Sequence, residues 1–249
     1  NPHMRRLLPI LCLTLAMLLG SAGEVWSANY QKGQEAFLKK DYATTLREWK
    51  PLAEQGNTDA QFNLGQMYYY GRGVPRDYKT AVKWYGLGAE QGDVDAQVNL
   101  GVMYHDGLGV PINYKTAVKW FKRAAEQNYA VAQFNLGWTY DKGKGVPQDY
   151  KTAAKWYRLA AEQGHATAQY ILGGMYEFGK GVPKNYNAAE KWYRLAEEQG
   201  SANALLYGHN EPRVCLASPN GRCPTAQLCA ASPNGRCPEG RVYPAQNNK

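Results

Sequence analysis

The chain has 249 residues, with 29 lysines and arginines against 21 aspartates and glutamates, a formal net charge of +8. That length admits one large domain, two small ones, or several copies of a small unit, so repetition is the first pattern to look for. Lys and Arg alternate with Asp and Glu throughout instead of gathering in a dense basic stripe, which argues against nucleic acid as a partner.

Asn1, Pro2 and His3 precede Met4 and read as a cloning scar (residues 1–3). Arg5 and Arg6 follow, then an uncharged apolar run from Leu7 to Leu19, then Gly20, Ser21, Ala22 and Gly23. This is the order of a secretory signal peptide, expected over residues 4–28 with cleavage before Ala28 or Asn29. A membrane span needs about 20 apolar residues, more than this run supplies, and Pro9 interrupts it. The expected product is periplasmic or secreted, with no integral membrane span after cleavage. Cys12 sits in a poor context for lipid attachment.

A repeat domain is expected over 29–209. Its first copy, 28–59, is divergent: it has Gly33, Ala36, Asp41, Tyr42 and Leu46 but no Gly-x-Gly-Val-Pro segment. Four full copies follow at a 36-residue step, over 60–95, 96–131, 132–167 and 168–203, and they open AQFNLGQMY, AQVNLGVMY, AQFNLGWTY and AQYILGGMY. In each, apolar residues such as Ala60, Leu64, Met67 and Tyr68 recur every three or four positions, and Gly71 can take the left-handed conformation that stops a helix. Pro75 cannot continue a helix; Asp77, Asn113, Asp149 and Asn185 are N-caps. A second helix is expected from Tyr78 to Gln91, with Ala81, Trp84, Tyr85 and Ala89 facing inward. Gly65, Gly101, Gly137 and Gly173 fall in mid-helix, where glycine costs about 1 kcal/mol relative to alanine; a close approach of the paired helix, under Trp84 and its equivalents, is the expected compensation. A partial copy, 204–209, ends the array.

At these positions the chain resembles the Sel1-like repeat (SLR) family, relatives of tetratricopeptide repeats. The motif A-x-x-x-L-G-x-x-Y-x-x-G-x-G-V, followed by D-Y, A, W-Y and E-x-G, recurs with local departures: Asn128 replaces the closing glycine, Ile112 and Asn113 the usual polar-Asp step, and Asn187 a lysine. The resemblance implies an all-α fold, a right-handed α/α superhelix of antiparallel helix hairpins, and a protein–protein adaptor, often exported by bacteria. Cysteine-rich relatives are linked with penicillin binding and weak β-lactam hydrolysis, but no residues here can be matched to that activity.

In such a stack the first helices line the concave side. Two ladders fall on the expected inner face: Phe62, Val98, Phe134 and Tyr170, with Trp138 beside them, and Asn63, Asn99 and Asn135, with Gln66 on the same face. Amides can pair with the main chain of an extended peptide, and aromatic anchors supply affinity. Two readings stay open: these residues line a ligand groove, or they pack between neighbouring first helices. Carboxylate-clamp tetratricopeptide grooves use Lys and Arg; here Asp59, Asp95, Asp106, Asp141 and Glu177 favour a neutral or basic segment over a C-terminal carboxylate. Trp84, Trp120, Trp156 and Trp192 recur at the strict repeat spacing of a core position. Lys83, Lys119, Lys155 and Lys191 read as a solvated face.

From 210 to 249 the composition shifts to Pro, Gly, Ser and Cys. CLASPNGRCP at Cys215 returns as CAASPNGRCP at Cys229. The turn-forming Ser-Pro-Asn-Gly could bring Cys215 to Cys223 and Cys229 to Cys237. Four cysteines allow three pairings, which sequence does not choose between; an oxidising compartment favours disulfides over a metal.

No catalytic set stands out. His105, His165 and His209 occupy three different repeat positions, and the Gly-x-Gly segments precede Val-Pro, not the helix N-terminus of a phosphate-binding loop. The expectation is a non-enzyme without cofactor or metal that binds a protein or peptide, with a self-associating scaffold as the alternative.

Overall fold

The computed structural model describes residues 27–198. The expected signal peptide up to residue 26, the end of the fourth repeat, the partial repeat and Cys215, Cys223, Cys229 and Cys237 lie outside the described residues. Among the described residues there are ten helices and no strand. Helix α1 covers 27–38, followed by α2 (Tyr42–Glu54), α3 (Thr58–Tyr70) and α4 (Tyr78–Glu90), which belong to a compact unit ending at Gln91. A second unit begins at Gly92 and holds α5 (Val94–Asp106), α6 (Tyr114–Glu126), α7 (Ala130–Lys142), α8 (Tyr150–Glu162), α9 (Ala166–Phe178) and α10 (Tyr186–Glu198).

Within each unit consecutive helices pack as hairpins: α3 on α4 in the first, and α5 on α6, α7 on α8, and α9 on α10 in the second. The tandem helical-hairpin class expected from the sequence is the class observed. The second helices are capped as their sequence dictates, with the side chains of Asp77, Asn113, Asp149 and Asn185 accepting backbone N–H bonds from the first turn. The first helices begin two residues before the shared Ala-Gln, with Asn57, Asp93 and His165 as side-chain caps. Gly71 closes α3 in the left-handed conformation at φ 69°, as the helix-stop reading requires.

Second-helix burial follows the expected face: Ala81, Trp84, Tyr85 and Ala89 are all buried. The mid-helix glycines are indeed sites of close approach, but the aromatic above them is the residue after the tryptophan. A methyl group on Gly65 would meet the Tyr85 ring at 2.5 Å, and on Gly137 the Tyr157 ring at 2.8 Å; Gly101 and Gly173 stand in the same relation to Phe121 and Tyr193. The expectation of Trp84 and its equivalents is therefore corrected by one residue. That step turns the side chain about 100° around the helix, and only the second aromatic of each Trp-aromatic pair aims at the notch.

Successive repeats are joined by glutamines. Gln61 Nε2 donates to the Ala53 carbonyl at 2.9 Å, and Gln169 Nε2 to the Ala161 carbonyl at 3.0 Å. Each adds a second donor to a last-turn carbonyl of the preceding second helix that already accepts the N–H of Gly56 or Gly164. The closing glutamine of the same repeat completes the pair: Gln91 donates to Gln61 at 2.8 Å, Gln127 to Gln97 at 3.0 Å and Gln163 to Gln133 at 2.7 Å. Asn128, the departure from the closing glycine, holds the same left-handed backbone at φ 63°. Its side-chain Oδ1 accepts from Gln133 at 3.1 Å and Gln163 at 3.3 Å, so it extends the glutamine pair.

The Gly-x-Gly loop is the second inter-repeat joint. Gly145 sits against the backbone of Tyr114 and Gly181 against that of Tyr150, each at the start of the previous repeat's second helix. The residue between the glycines adds a cation over the same tyrosine: Lys144 Nζ lies 5.0 Å from the Tyr114 ring centre and Lys180 Nζ 4.1 Å from that of Tyr150.

Candidate functional site

The expected groove residues divide by depth. In the first unit Phe62 is buried and tilted against Tyr85 at 5.9 Å, while Gln66 is partly exposed. Asn63 is partly exposed, and its amide donates to the Tyr30 hydroxyl at 2.7 Å. In the second unit Val98, Asn99, Phe134, Asn135 and Trp138 are all buried, and only Tyr170 is partly exposed, tilted on Tyr193 at 5.2 Å.

The reason for this burial is the glycine notch. Three residues before each notch glycine lies Phe62, Val98, Phe134 or Tyr170, and for the three aromatics the ring that fills the notch packs against that residue as well. Phe134 is further stacked on His165 at 4.5 Å. Val98 and Val102 on α5 share a core cluster with Phe134 and Trp138 on α7. The Phe62, Val98, Phe134 rung therefore packs between helices, which is the packing alternative of the two readings left open by the sequence. Asn99 and Asn135 are likewise too deep to meet a ligand without rearrangement.

What remains accessible on the first helices is spread along their length. In the second unit this includes Asp95, His105 and Asp106 on α5 and Tyr170, Ile171, Glu177 and Phe178 on α9, with Phe178 76% exposed. The carboxylates of the first helices have local partners. Asp95 accepts from the Tyr129 hydroxyl, Asp106 pairs with His105 Nδ1 at 2.6 Å, Asp141 with Lys180 Nζ at 2.9 Å, and Glu177 accepts from the Tyr193 hydroxyl at 2.7 Å. Burial raises the Asp95 carboxyl above its usual range, opposed by the Tyr129 hydrogen bond. Of these four carboxylates only Asp141 meets a permanent cation, and the hydroxyl hydrogen bonds to Asp95 and Glu177 do not offset negative charge.

First helices of successive repeats lie side by side in the second unit: the His105 ring on α5 meets the Trp138 ring on α7 edge-on, at 5.0 Å between centres. His105 also packs edge-on against Tyr114 at 5.1 Å. His165, by contrast, is buried as the cap of α9, accepting the Ala168 N–H on Nδ1. The two histidines thus serve different local structures. Among the described residues no cluster of three or more His, Cys, Asp or Glu side chains is arranged to hold a metal ion, and no helix is long and apolar enough to cross a membrane.

Lys83, Lys119, Lys155 and Lys191 are exposed, as expected, and Trp84 and Trp120 are buried. The glutamine pairs were missed by sequence reasoning, although the strict spacing of Gln61, Gln97 and Gln133 from Gln91, Gln127 and Gln163 carried the signal. In the first unit an open depression of about 470 Å³ beside Gln61, Trp84, Leu87 and Gln91 lies at this closing joint and holds none of the groove candidates.

The description "Sel1 repeat" matches residues 58–93, 94–129, 130–165 and 166–201. A Sel1 repeat protein from Oxalobacter formigenes shares 38% identity with this chain, covering 71% of it and 73% of its own length, with a TM-score of 0.66. The protein c5321, a protective antigen present in uropathogenic Escherichia coli strains and displaying an SLR fold, shares 33% identity at a TM-score of 0.56. That match covers 80% of this chain and 53% of the antigen, so this chain spans about half the antigen's length. No curated protein matches the chain.

Proposed function

Because the chain belongs to the Sel1 repeat family, whose members generally mediate protein–protein interactions, we propose that it is an exported adaptor that holds a segment of another polypeptide across its first helices. The observation that carries this reading is the side-by-side contact of α5 and α7 through His105 and Trp138. A segment crossing adjacent first helices meets one set of side chains per repeat, so recognition accumulates with repeat number. The contact face is the accessible part of those helices, with Phe178 and Tyr170 as its aromatic edge. The buried phenylalanine rung fixes the spacing of the helices beneath it.

A non-catalytic role is in keeping with a family of typically non-catalytic scaffolds. Export rests on the Arg5-Arg6, apolar and small-residue order of the N-terminal segment, and fractionation of the source cell checks it: recovery of the full-length chain in the cytoplasm alone would remove that part.

The groove is tested by photocrosslinking in the source cell. A photoreactive residue at Phe178 is expected to capture a discrete partner, whereas one at Lys122, exposed on the second helix α6, is not. Equal capture from both positions, or capture from position 122 alone, would move the binding face off the first helices.

A further inference from the structure

Basic and acidic residues interleave along the sequence, but the helical hairpins sort them. In the second unit the second helix α6 carries four basic side chains against one acidic, and α8 three against one. The first helices α5, α7 and α9 carry Asp95, Asp106, Asp141 and Glu177 against a single lysine, Lys142. Charge that looks mixed in one dimension is therefore segregated between the two kinds of helix.

On α6 the cations Lys115, Lys119 and Lys122 fall at steps of four and three residues, and on α8 Lys151, Lys155 and Arg158 repeat those steps. The spacing holds each trio within an arc of about 60° and a length of about 10 Å on its helix. All five lysines are exposed, and Arg158 is partly exposed, held against Tyr176 by its ring and hydroxyl. The two helices run side by side because both ends are joined. Gly145, just before α8, sits against the Tyr114 backbone at the start of α6, and Gln163, which closes α8, donates to Asn128 just beyond α6. The two trios thus form one patch, extended at its N-terminal end by Lys144 over the Tyr114 ring. Acidic groups lie at the margins: Asp149 caps α8, and Glu126 and Glu162 end the two helices. Lys122 and Glu126 pair at 3.7 Å with side chains 60% and 58% exposed, a surface contact that holds little energy.

A patch of cations spread over two parallel helices is complementary to an extended anionic plane. Nucleic acid fits it less well: Trp120 is 6% exposed beneath Lys119 and Arg123, which leaves no ring there for bases to stack on. The flank of the patch instead carries Leu159, next to Arg158 and 41% exposed. An aliphatic side chain beside lysines, whose own stems are apolar, suits the boundary between lipid headgroups and acyl chains. We propose that the α6–α8 face docks on a bilayer containing anionic phospholipid, with the two cation trios against the headgroups. The buried face of α6, with Ala117, Trp120, Phe121 and Ala124, lies opposite its cation stripe and packs toward α5 and α7. The first helices therefore face away from the leaflet, and the docking does not depend on the groove reading.

The test uses the full chain, with vesicles of phosphatidylcholine alone and of phosphatidylcholine mixed with phosphatidylglycerol. Sedimentation reads binding, and lysine acetylation followed by mass spectrometry reads which side chains the bilayer covers. Mixed vesicles are expected to bind more tightly than neutral ones and to protect Lys119 and Lys155, while Lys39 and Lys50, exposed in the first unit, stay reactive. Each cation at an anionic leaflet strengthens attachment about fivefold, so Lys119→Gln with Lys155→Gln should weaken binding to mixed vesicles about 25-fold. Lys39→Gln with Lys50→Gln, the same change in net charge, should leave it unaltered, and Lys119→Arg with Lys155→Arg should bind as the wild type does. Helical circular dichroism should be the same in all three double variants. Equal loss from the two glutamine pairs would show a response to net charge alone and overturn the assignment of the face. Sedimentation without protection of Lys119 and Lys155 would put the attachment elsewhere in the chain and overturn it as well. Protection of these lysines by a short DNA duplex but not by mixed vesicles would assign the face to nucleic acid and refute the lipid reading.

Discussion

Replacing Gly145 by alanine probes the joint between repeats more sharply than any core truncation. The residue has φ 78°, and an added Cβ would stand 2.5 Å from both the carbonyl carbon and oxygen of Tyr114 and 2.9 Å from the Lys115 nitrogen. All three are backbone atoms at the start of α6, so no side-chain rotation relieves the clash. The left-handed backbone alone costs a non-glycine residue roughly 1–2 kcal/mol, and forcing a methyl into a packed joint adds about 1–3 kcal/mol. Gly145→Ala should therefore lose about 2–5 kcal/mol, lowering the thermal midpoint by roughly 5–15 °C. Gly92→Ala separates the two contributions: its φ is 99° but nothing lies within 4 Å of the added methyl, so only the backbone cost of roughly 1–2 kcal/mol applies. Gly86 lies inside α4 with open space around it, and Gly86→Ala should raise stability by up to about 1 kcal/mol. Thermal unfolding followed by helical circular dichroism ranks the three variants. Gly145→Ala melting together with Gly92→Ala would refute the claim that the loop is seated on the backbone of the preceding repeat.

Gln133→Leu removes the donor to Asn128 and the acceptor for Gln163 while keeping similar bulk; a loss of about 1–3 kcal/mol in urea unfolding is expected for the polar groups left unpaired, and an unchanged midpoint would show that the glutamine pairs contribute nothing. Burial holds the His165 imidazole down at about 4, below the ordinary value of about 6.5, so the unfolded chain binds the proton more readily than the folded one. Its contribution is fully present above about pH 6.5 and is lost as pH falls toward 4, by about 3 kcal/mol in total. His165→Asn retains a capping side chain without a titrating group, and its stability should fall less than that of the wild type across this window; parallel pH profiles would contradict the assignment.

The candidate site was legible in outline but not in depth. Helical periodicity placed Phe62, Val98, Phe134 and Tyr170 together on one face of the first helices, and they do share a face. Periodicity does not say how closely the next helix approaches that face. The notch glycines admit the rings of Tyr85, Tyr157 and Tyr193, which pack against the aromatic rung and leave only Tyr170 partly open. Trp138 and His105 could be placed on neighbouring first helices from the repeat alone. That both have an unmet ring nitrogen followed only from the coordinates.

By itself, then, the sequence determined the repeat unit, its two helices, the second-helix caps at Asp77, Asn113, Asp149 and Asn185, and the Gly71 stop, because these depend on spacing and on backbone preferences within a few residues. Tertiary structure decided which of Trp84 and Tyr85 fills the notch, that Gln61 reaches the Ala53 carbonyl and Gln91, and that Gly145 lies on the backbone of Tyr114. These contacts join residues 8 to 31 positions apart, and their geometry is set by the distance and angle between packed helices, which a one-dimensional pattern does not contain.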